Sequence, residues 1–195
     1  QSKNGYNGSI SGQISNVMAM GALFVSGQQG KFTYSTNLMY NQSLPLNGNI
    51  TMDRINKVDN SRMFYDQTGK MTHSFVMGNI NLGYELDSLS NLGLALNLNG
   101  MDYRRYGPET TNFSGGAYGT GFSYGANVDG RSGSYTVNAS ADYQRYFNKE
   151  RTKSITLSYL FNYTPTKGEM RREYNVLPAG IPLHLTDMYS LNKAY

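Results

Sequence analysis

The chain has 195 residues, no Cys and a formal net charge of +4. Without Cys it has no disulfide framework and no thiolate chemistry. So mild a charge, with no long Lys/Arg run, excludes a dedicated nucleic-acid-binding protein. The 17 Tyr and 22 Gly are not the composition of a disordered chain, and no apolar run reaches the roughly 18 residues of a membrane-spanning helix.

Apolar and polar residues alternate with a period of two along most of the chain, which is typical of β-strands. The opening segment predicts two strands, near 5–15 and 17–27. The other alternating stretches are GKFTYSTNLMYNQ (30–42), FVMGNINLGYEL (75–86), NLGLALNLNG (91–100), SYTVNASADYQRYF (134–147) and SITLSYLFNY (154–163). Gly, Asn and β-branched residues are spread through all of them, so none predicts a helix.

Two sizes of connection alternate along the chain. The short ones are 28–30, 87–90 and 148–153, and the long polar ones lie near 42–72, 104–132 and 167–185. Tight turns on one rim and long loops on the other are typical of outer-membrane barrels, in which the extracellular loops are the longer ones. The stretch 121–133 leaves open a further hairpin inside the second long connection.

The stretch 134–147 carries the most informative alternation. Tyr135 and Tyr143 lie eight residues apart on one predicted face, with Val137 and two alanines between them. Eight residues span about 26 Å of strand. At a barrel strand's tilt this is roughly 20 Å along the membrane normal, close to the apolar band between two aromatic girdles. The residues we expect to face lipid or form the girdles are Tyr135, Val137, Tyr143, Tyr159, Phe161 and Tyr163.

Strand length and charge placement favour a membrane barrel. Soluble strands average about 5–6 residues, whereas these predicted strands of about 10–14 residues are long enough for the 9–11 that a tilted membrane strand needs. The stretches 91–100 and 154–164 carry no charge. We therefore predict an all-β fold, an antiparallel up-and-down transmembrane β-barrel (a meander) in the bacterial outer membrane. The alternative is a soluble β-sandwich whose apolar face packs inward.

Three stretches carry a family resemblance: GKFTYSTNLMYN, LGYELDSLSNLGLALNLNG and YTVNASADYQRYFNKERTKSITLSYLFNY. They resemble the barrel of TonB-dependent receptor-like outer-membrane β-barrel family proteins, over about residues 5–165. The resemblance implies a plugged barrel of about 22 strands. It also implies import of a bulky ligand, such as an iron chelate, a cobalamin or a glycan, with energy relayed through TonB.

The chain supplies about seven or eight of these strands as a single segment, 1–195. No plug or TonB-box segment is seen, and the missing initiator Met and the unfinished end favour a segment of a larger barrel. TonB and a surface lipoprotein would then be partners through other parts of the protein. The alternatives are a small complete barrel with a structural or adhesive role and a soluble secreted β-sheet surface protein.

The residues do not predict catalysis. A nucleophile elbow, a metal-spaced His pair and a phosphate-binding loop are all missing, so we expect no enzyme activity, cofactor or metal. Asp59, Asn60 and Asp66 share one predicted loop, but their spacing is not that of an EF-hand. His73 and His184 are interpreted as loop or strand-end residues, and SGGAYGTGFSYG (114–125) as a flexible loop or strand edge.

Two clusters of Arg and Tyr are the candidate binding site. They lie in MDYRRYGPE (101–109) and EMRREY (169–174), and their members are Tyr103, Arg104, Arg105, Tyr106, Arg171 and Arg172. Arg binds phosphate or carboxylate bidentately, so the clusters predict contact with a ligand or with lipopolysaccharide at the outer rim. The alternative is a pair of girdle tyrosines with snorkelling arginines.

Overall fold

The structure is a computed structural model that describes residues 4–176 and 188–194. These residues form one antiparallel sheet of ten strands. The strands are β1 (Gly5–Ile14), β2 (Met18–Gln29), β3 (Phe32–Ser43), β4 (Leu46–Ile55), β5 (Arg62–Asp87), β6 (Ser90–Ser114), β7 (Phe122–Tyr146), β8 (Ser154–Tyr163), β9 (Thr166–Val176) and β10 (Met188–Ala194). The described part of the chain has no helix long and apolar enough to cross a membrane.

Apart from β3/β4 and β8/β9, strands that follow one another in the chain are neighbours in the sheet. The order is β1-β2-β3-β5-β6-β7-β9-β10, with β4 also paired to β5 and β8 to β7. The predicted all-β, antiparallel, up-and-down architecture is therefore confirmed. The sheet is not closed, since no pairing between the described residues joins β1 to β10.

Two prolines divide what are otherwise continuous strands. Pro45 separates β3 from β4, and Pro165 separates β8 from β9, because proline has no backbone N–H to give to the ladder. β3 and β4 both pair with β5, and β8 and β9 both pair with β7. The pairing with β5 shifts by one residue around Pro45. Gln42 lies opposite Ser74 and Leu46 opposite Met71, so three residues face two and form a β-bulge.

The turns alternate between two ends of the sheet. The tight-turn end carries the connections at 30–31, 88–89 and 147–153, and the hairpin end carries those at 15–17, 56–61 and 115–121. The prediction of long loops at 42–72 and 104–132 differs from the structure, because strand fills most of both ranges. The third range, 167–185, is strand up to residue 176, and its remainder lies outside the described residues.

Three central strands are much longer than expected: β5 has 26 residues, and β6 and β7 have 25 each. At about 3.3 Å per residue each is roughly 80 Å long. Their halves nearest the hairpin end contain the polar and glycine-rich stretches that resembled loops. The possible extra hairpin at 121–133 is instead the start of β7, which pairs along its length with β6.

The sheet has two faces of different composition. Face 1 carries Tyr34, Leu96 and Tyr135, and face 2 carries Asn37 and Asn97, with paired residues on the same face. Toward the tight-turn end, the apolar residues lie on face 1. Toward the hairpin end they lie on face 2, as in β7, where the apolar residues change from Tyr135 and Val137 on face 1 to Tyr124, Ala126 and Val128 on face 2.

The tightly packed part of the described sheet lies on face 2 near the hairpin end. Its fully covered apolar residues are Ala126 and Val128. Beside them the polar residues Gln67, Glu109 and Thr111 are also buried. The large apolar side chains of face 1 are instead exposed, with Tyr159 at 69% and Leu157 at 62%. The sheet therefore has its small core in the half where the apolar residues point to face 2.

Candidate functional site

Face 1 carries an apolar band between two aromatic rows. One row runs across Phe32, Tyr84, Leu92, Tyr143 and Leu157, and the other across Tyr40, Val76, Gly100 and Tyr135. The two rows are eight residues apart on each strand from β3 to β7, so the spacing seen in one sequence stretch recurs in the neighbouring strands. The side chains between the rows are almost all apolar or Tyr, and Thr36 is the exception in β3. Its hydroxyl donates to the Asn79 carbonyl at 3.0 Å.

All six residues expected to face lipid lie on this band. Val137 pairs with Tyr163, Ala139 with Phe161, and Ala141 with Tyr159, while Tyr135 and Tyr143 belong to the two bounding rows. The structure thus brings the six together on one face. Their contact with lipid remains a prediction.

Glycines lie opposite several of the large side chains of the band. A Cβ on Gly100 would overlap the ring of Tyr135, and one on Gly27 would overlap the ring of Tyr34. At these positions the ring occupies the space that a Cβ of the glycine would take. Because the glycine leaves room for the ring, it also fixes the direction in which the ring points.

Face 2 carries a row of asparagines at the height of the band. Asn37, Asn79, Asn97, Asn138 and Asn162 are paired in sequence across five neighbouring strands. The Asn162 amide donates to Asn138 Oδ1 at 2.6 Å. The same ladder therefore presents hydrocarbon on one face and uncharged amides on the other.

The alternation of the strands splits the two Arg/Tyr clusters between the faces. Tyr103, Arg105 and Arg172 lie on face 2, and Arg104, Tyr106 and Arg171 lie on face 1. The prediction treated each cluster as one surface, but neighbouring residues in a strand point to opposite sides. The candidate residues therefore form two separate sites.

The face 2 site is a recess of about 370 Å³ near the hairpin half of the sheet. Tyr103 and Arg105 on β6 stand on one side and Met170 on β9 on the other, with Gly130 and Gly168 among the lining residues. The missing glycine side chains create the space. Tyr103 donates to Met71 Sδ at 2.9 Å, whereas the Arg105 guanidinium forms no ion pair or hydrogen bond within 4–176 and 188–194.

A buried polar cluster lies on face 2 close to this recess. Arg172 Nε is 2.6 Å from Glu109 Oε1, and the Tyr65 hydroxyl donates to Glu109 Oε2 at 2.8 Å. Burial, followed by the hydrogen bond to Glu109, raises the pKa of Tyr65 to about 12. Gln67 is 2% exposed, and its amide nitrogen has no hydrogen-bond partner among the described residues.

The face 1 cluster centres on Asp129. Arg104 binds this carboxylate with Nε at 2.9 Å and Nη2 at 2.8 Å. Arg131 Nε is 3.8 Å away, and Arg171 is the directly paired residue on β9. The Arg104 guanidinium, the main cause, holds the pKa of the Asp129 carboxyl below its usual value. Arg104 and Arg171, predicted for the same rim, thus flank one acid.

The remaining predicted residues have structural surroundings. Asp59 Oδ1 accepts hydrogen bonds from the backbone N–H of Ser61 at 3.1 Å and from its hydroxyl at 2.8 Å, so it orders the 56–61 turn. The described residues contain no group of His, Asp and Glu arranged to hold a metal. The backbone N–H of His73 donates to Ser43, and His184 lies outside the described residues. The glycine-rich stretch forms the β6–β7 turn, with a 3₁₀ helix at Gly116–Tyr118.

Sequence reasoning missed several residues of both sites. Glu109 and Tyr65 are far apart in the chain, and only the register of β5 against β6 brings them together. The neighbours of Arg104, namely Asp129 and Arg131, likewise depend on the β6–β7 register. The residue types alone did not indicate that these side chains belong to the sites. The sequence does carry a signal that the apolar side changes, because Tyr124, Ala126 and Val128 alternate in the opposite phase to Tyr135 and Val137. No protein-family model matches the chain, and no curated protein is a significant match to it.

Proposed function

We propose that the chain forms part of the wall of an outer-membrane β-barrel, with face 1 against lipid over the apolar band and face 2 toward a polar lumen. The observation that carries this proposal is the pairing of the apolar band with the asparagine row on opposite faces of the same ladder. A soluble sandwich would bury one face against a second sheet. The described residues form one sheet only.

The edges of the sheet support a wall that is continued by other strands. β1 is paired on one side only, and β8 pairs only with β7 among the described residues. In lipid, each unpaired backbone group costs several kcal/mol, so both edges need partners. A larger barrel would supply them, in keeping with the resemblance to TonB-dependent receptor-like proteins.

For the function of that barrel we propose import of a bulky anionic ligand. The face 2 recess is at the lumen side in this arrangement, and it combines Tyr103 with the unpaired cation Arg105. Arg binds carboxylates and phosphates bidentately, and a tyrosine ring stacks on flat ligand groups. The recess therefore suits a ligand that carries carboxylate or phosphate groups.

The wall proposal is tested with single cysteines, which the cysteine-free chain makes unambiguous. Leu96 and Asn97 are neighbours in β6 and lie on opposite faces, so Leu96→Cys and Asn97→Cys form a matched pair. A nitroxide label at position 96 should collide mainly with lipid-dissolved oxygen, and one at 97 with a water-soluble nickel chelate. Equal access of the nickel chelate to both labels would overturn the proposal.

The ligand proposal is tested with another matched pair, Arg105→Gln and Arg104→Gln. The probe is an anionic iron–tricarboxylate chelate, with a neutral oligosaccharide as the comparison. Loss of one charge-assisted contact weakens binding by roughly tenfold or more, so only Arg105→Gln should lose the chelate. Absence of chelate binding by the wild type, or equal loss in both variants, would favour the structural or adhesive alternative.

A further inference from the structure

We propose that a recess on face 1, directly above the apolar band, binds the phosphate headgroup of an outer-leaflet lipid. The recess has a volume of about 440 Å³ and is lined by Arg131, Tyr135, Pro165, Lys167 and Lys193, among others. It opens on the opposite face from the ligand recess, although Arg131, Ser132 and Glu169 line both. The inference rests on the proposed membrane wall, because it requires face 1 to contact lipid.

The recess exists because small or rigid residues lie between the charged ones. Gly133 is the paired residue between Asp102 on β6 and Lys167 on β9. It has no side chain of its own, and the Asp102 carboxylate reaches over it. Tyr135 and Pro165 lie one row closer to the band. The opening therefore has an aromatic and proline edge toward the band and basic side chains above it.

The basic residues of this region are arranged in like-charged pairs. Lys167 lies directly opposite Lys193. Arg131 lies directly opposite Arg104 on β6 and opposite the acid Glu169 on β9. Like charges opposite one another in a ladder destabilise it. A phosphate placed between the strands would remove the repulsion of the lysine pair, since it could accept hydrogen bonds from both.

The acids nearby leave these cations incompletely paired. Lys167 is 3.8 Å from Glu169, and Arg131 is 3.8 Å from Asp129, the carboxylate already bound by Arg104 at 2.8 Å. The Asp102 carboxylate accepts a hydrogen bond from the Tyr135 hydroxyl. Arg131 and Lys167 are also 58% and 62% exposed, so they have donors available for an anion.

The position of the recess selects a lipid over a free anion. Immediately below Tyr135 on face 1 lies Val137, which pairs with Leu98 and Tyr163. An acyl chain that runs along these side chains brings its headgroup to the height of Arg131 and Lys167. A lipid whose phosphate is bound by Lys and Arg and whose acyl chains lie on the band contacts both the basic and the apolar parts of the surface.

The test measures phosphate-bearing lipid retained by the intact protein after purification from its membrane. The variant is Arg131→Gln, Lys167→Gln and Lys193→Gln together, and the control is Lys57→Gln, Lys149→Gln and Lys153→Gln, which removes the same charge at turns. Native mass spectrometry counts the lipid and separates phosphorylated lipid A from phosphatidylglycerol. Each cation near an anionic lipid is worth about fivefold in affinity, so the recess variant should lose most of its lipid and the control should keep it.

Equal retention of lipid by both variants would overturn the inference. Release of the lipid by millimolar inorganic phosphate at constant ionic strength would also overturn it, because it would indicate a site for a free anion. Either lipid A or phosphatidylglycerol supports the inference if it is bound by the wild type and lost in the recess variant. Its mass identifies which lipid supplies the phosphate. The nitroxide label at Leu96→Cys distinguishes failure of the recess inference from failure of the membrane-wall proposal. If that label contacts lipid while the recess variant retains its lipid, the wall proposal stands and the recess inference alone fails.

Discussion

The ring of Tyr135 lies over Gly100, its directly paired residue on the neighbouring strand, and a Cβ on Gly100 would overlap this ring and also crowd Val76. These three positions, together with Tyr40, form the row that bounds the apolar band toward the hairpin end. The glycine therefore determines where a boundary tyrosine points. The Tyr135 hydroxyl donates a hydrogen bond to the carboxylate of Asp102, which lies one row further toward the hairpin end.

Gly100→Val is expected to destabilise the sheet by about 1–3 kcal/mol, since the new side chain must displace a packed ring. The measurement is the unfolding midpoint in urea, followed by the change in gel migration of the folded barrel. Gly93→Ala on the same strand is the control. Its Cβ would lie 3.8 Å from the Cβ of Asp142, the paired residue on β7, which is an ordinary contact. Equal destabilisation by both substitutions would contradict this account of Gly100.

Arg172→Met should be far more damaging than Arg171→Met. The first leaves the Glu109 carboxylate buried beside Tyr65 without its cation, at a cost of about 3–5 kcal/mol. The second removes an exposed pair with Glu173, worth about 0–1 kcal/mol. Urea unfolding of the two variants measures the difference, and similar midpoints would show that the buried pair does not stabilise this half of the sheet.

Stability should fall between about pH 10, where an unfolded tyrosine titrates, and the pKa of about 12 that Tyr65 has in the fold. The folded state holds this proton more tightly, so its contribution is complete below the unfolded pKa and is lost as the pH rises through the folded one. Tyr65→Phe should weaken the dependence in this window. An unchanged alkaline profile would mean that other groups cause it.

Ser43→Ala is expected to cost about 1–3 kcal/mol. Ser43 is 3% exposed, and its Oγ accepts a 2.7 Å hydrogen bond from the His73 backbone N–H at the β3–β4 bulge. Alanine leaves that donor without a partner. Ser35→Ala, whose hydroxyl only accepts a long contact of 3.4 Å from Asn81, should change the unfolding midpoint little, and hydrogen exchange at His73 should increase only in the first variant.

The sequence allowed the strand pattern and one face of the sheet to be predicted. The alternations of 134–147 and 154–163 each placed three of the six expected residues on one face of their own strand, because a period of two needs no knowledge of neighbouring strands. The two strands predicted at 5–15 and 17–27 are confirmed as β1 and β2. The role of that face in lipid remains a prediction.

The long hairpins and the division of the Arg clusters were harder to predict. In β6 and β7 the polar residues of the hairpin half alternate with apolar residues in the opposite phase, and glycines such as Gly130 interrupt the pattern. Such segments resemble loops until the ladder partners are known. The Arg104–Asp129 pair needs the register of two strands, which no single segment encodes.

In the proposed membrane wall, the change of apolar side from face 1 to face 2 would also determine how deeply the sheet is immersed. If the sheet sank by a few residues, the ion pair of Arg104 with Asp129 would enter hydrocarbon. If it rose by the same distance, the leucines of β6 would come into water. Both displacements would cost free energy, so a single change of phase in the pattern would set the depth of the proposed wall in the bilayer.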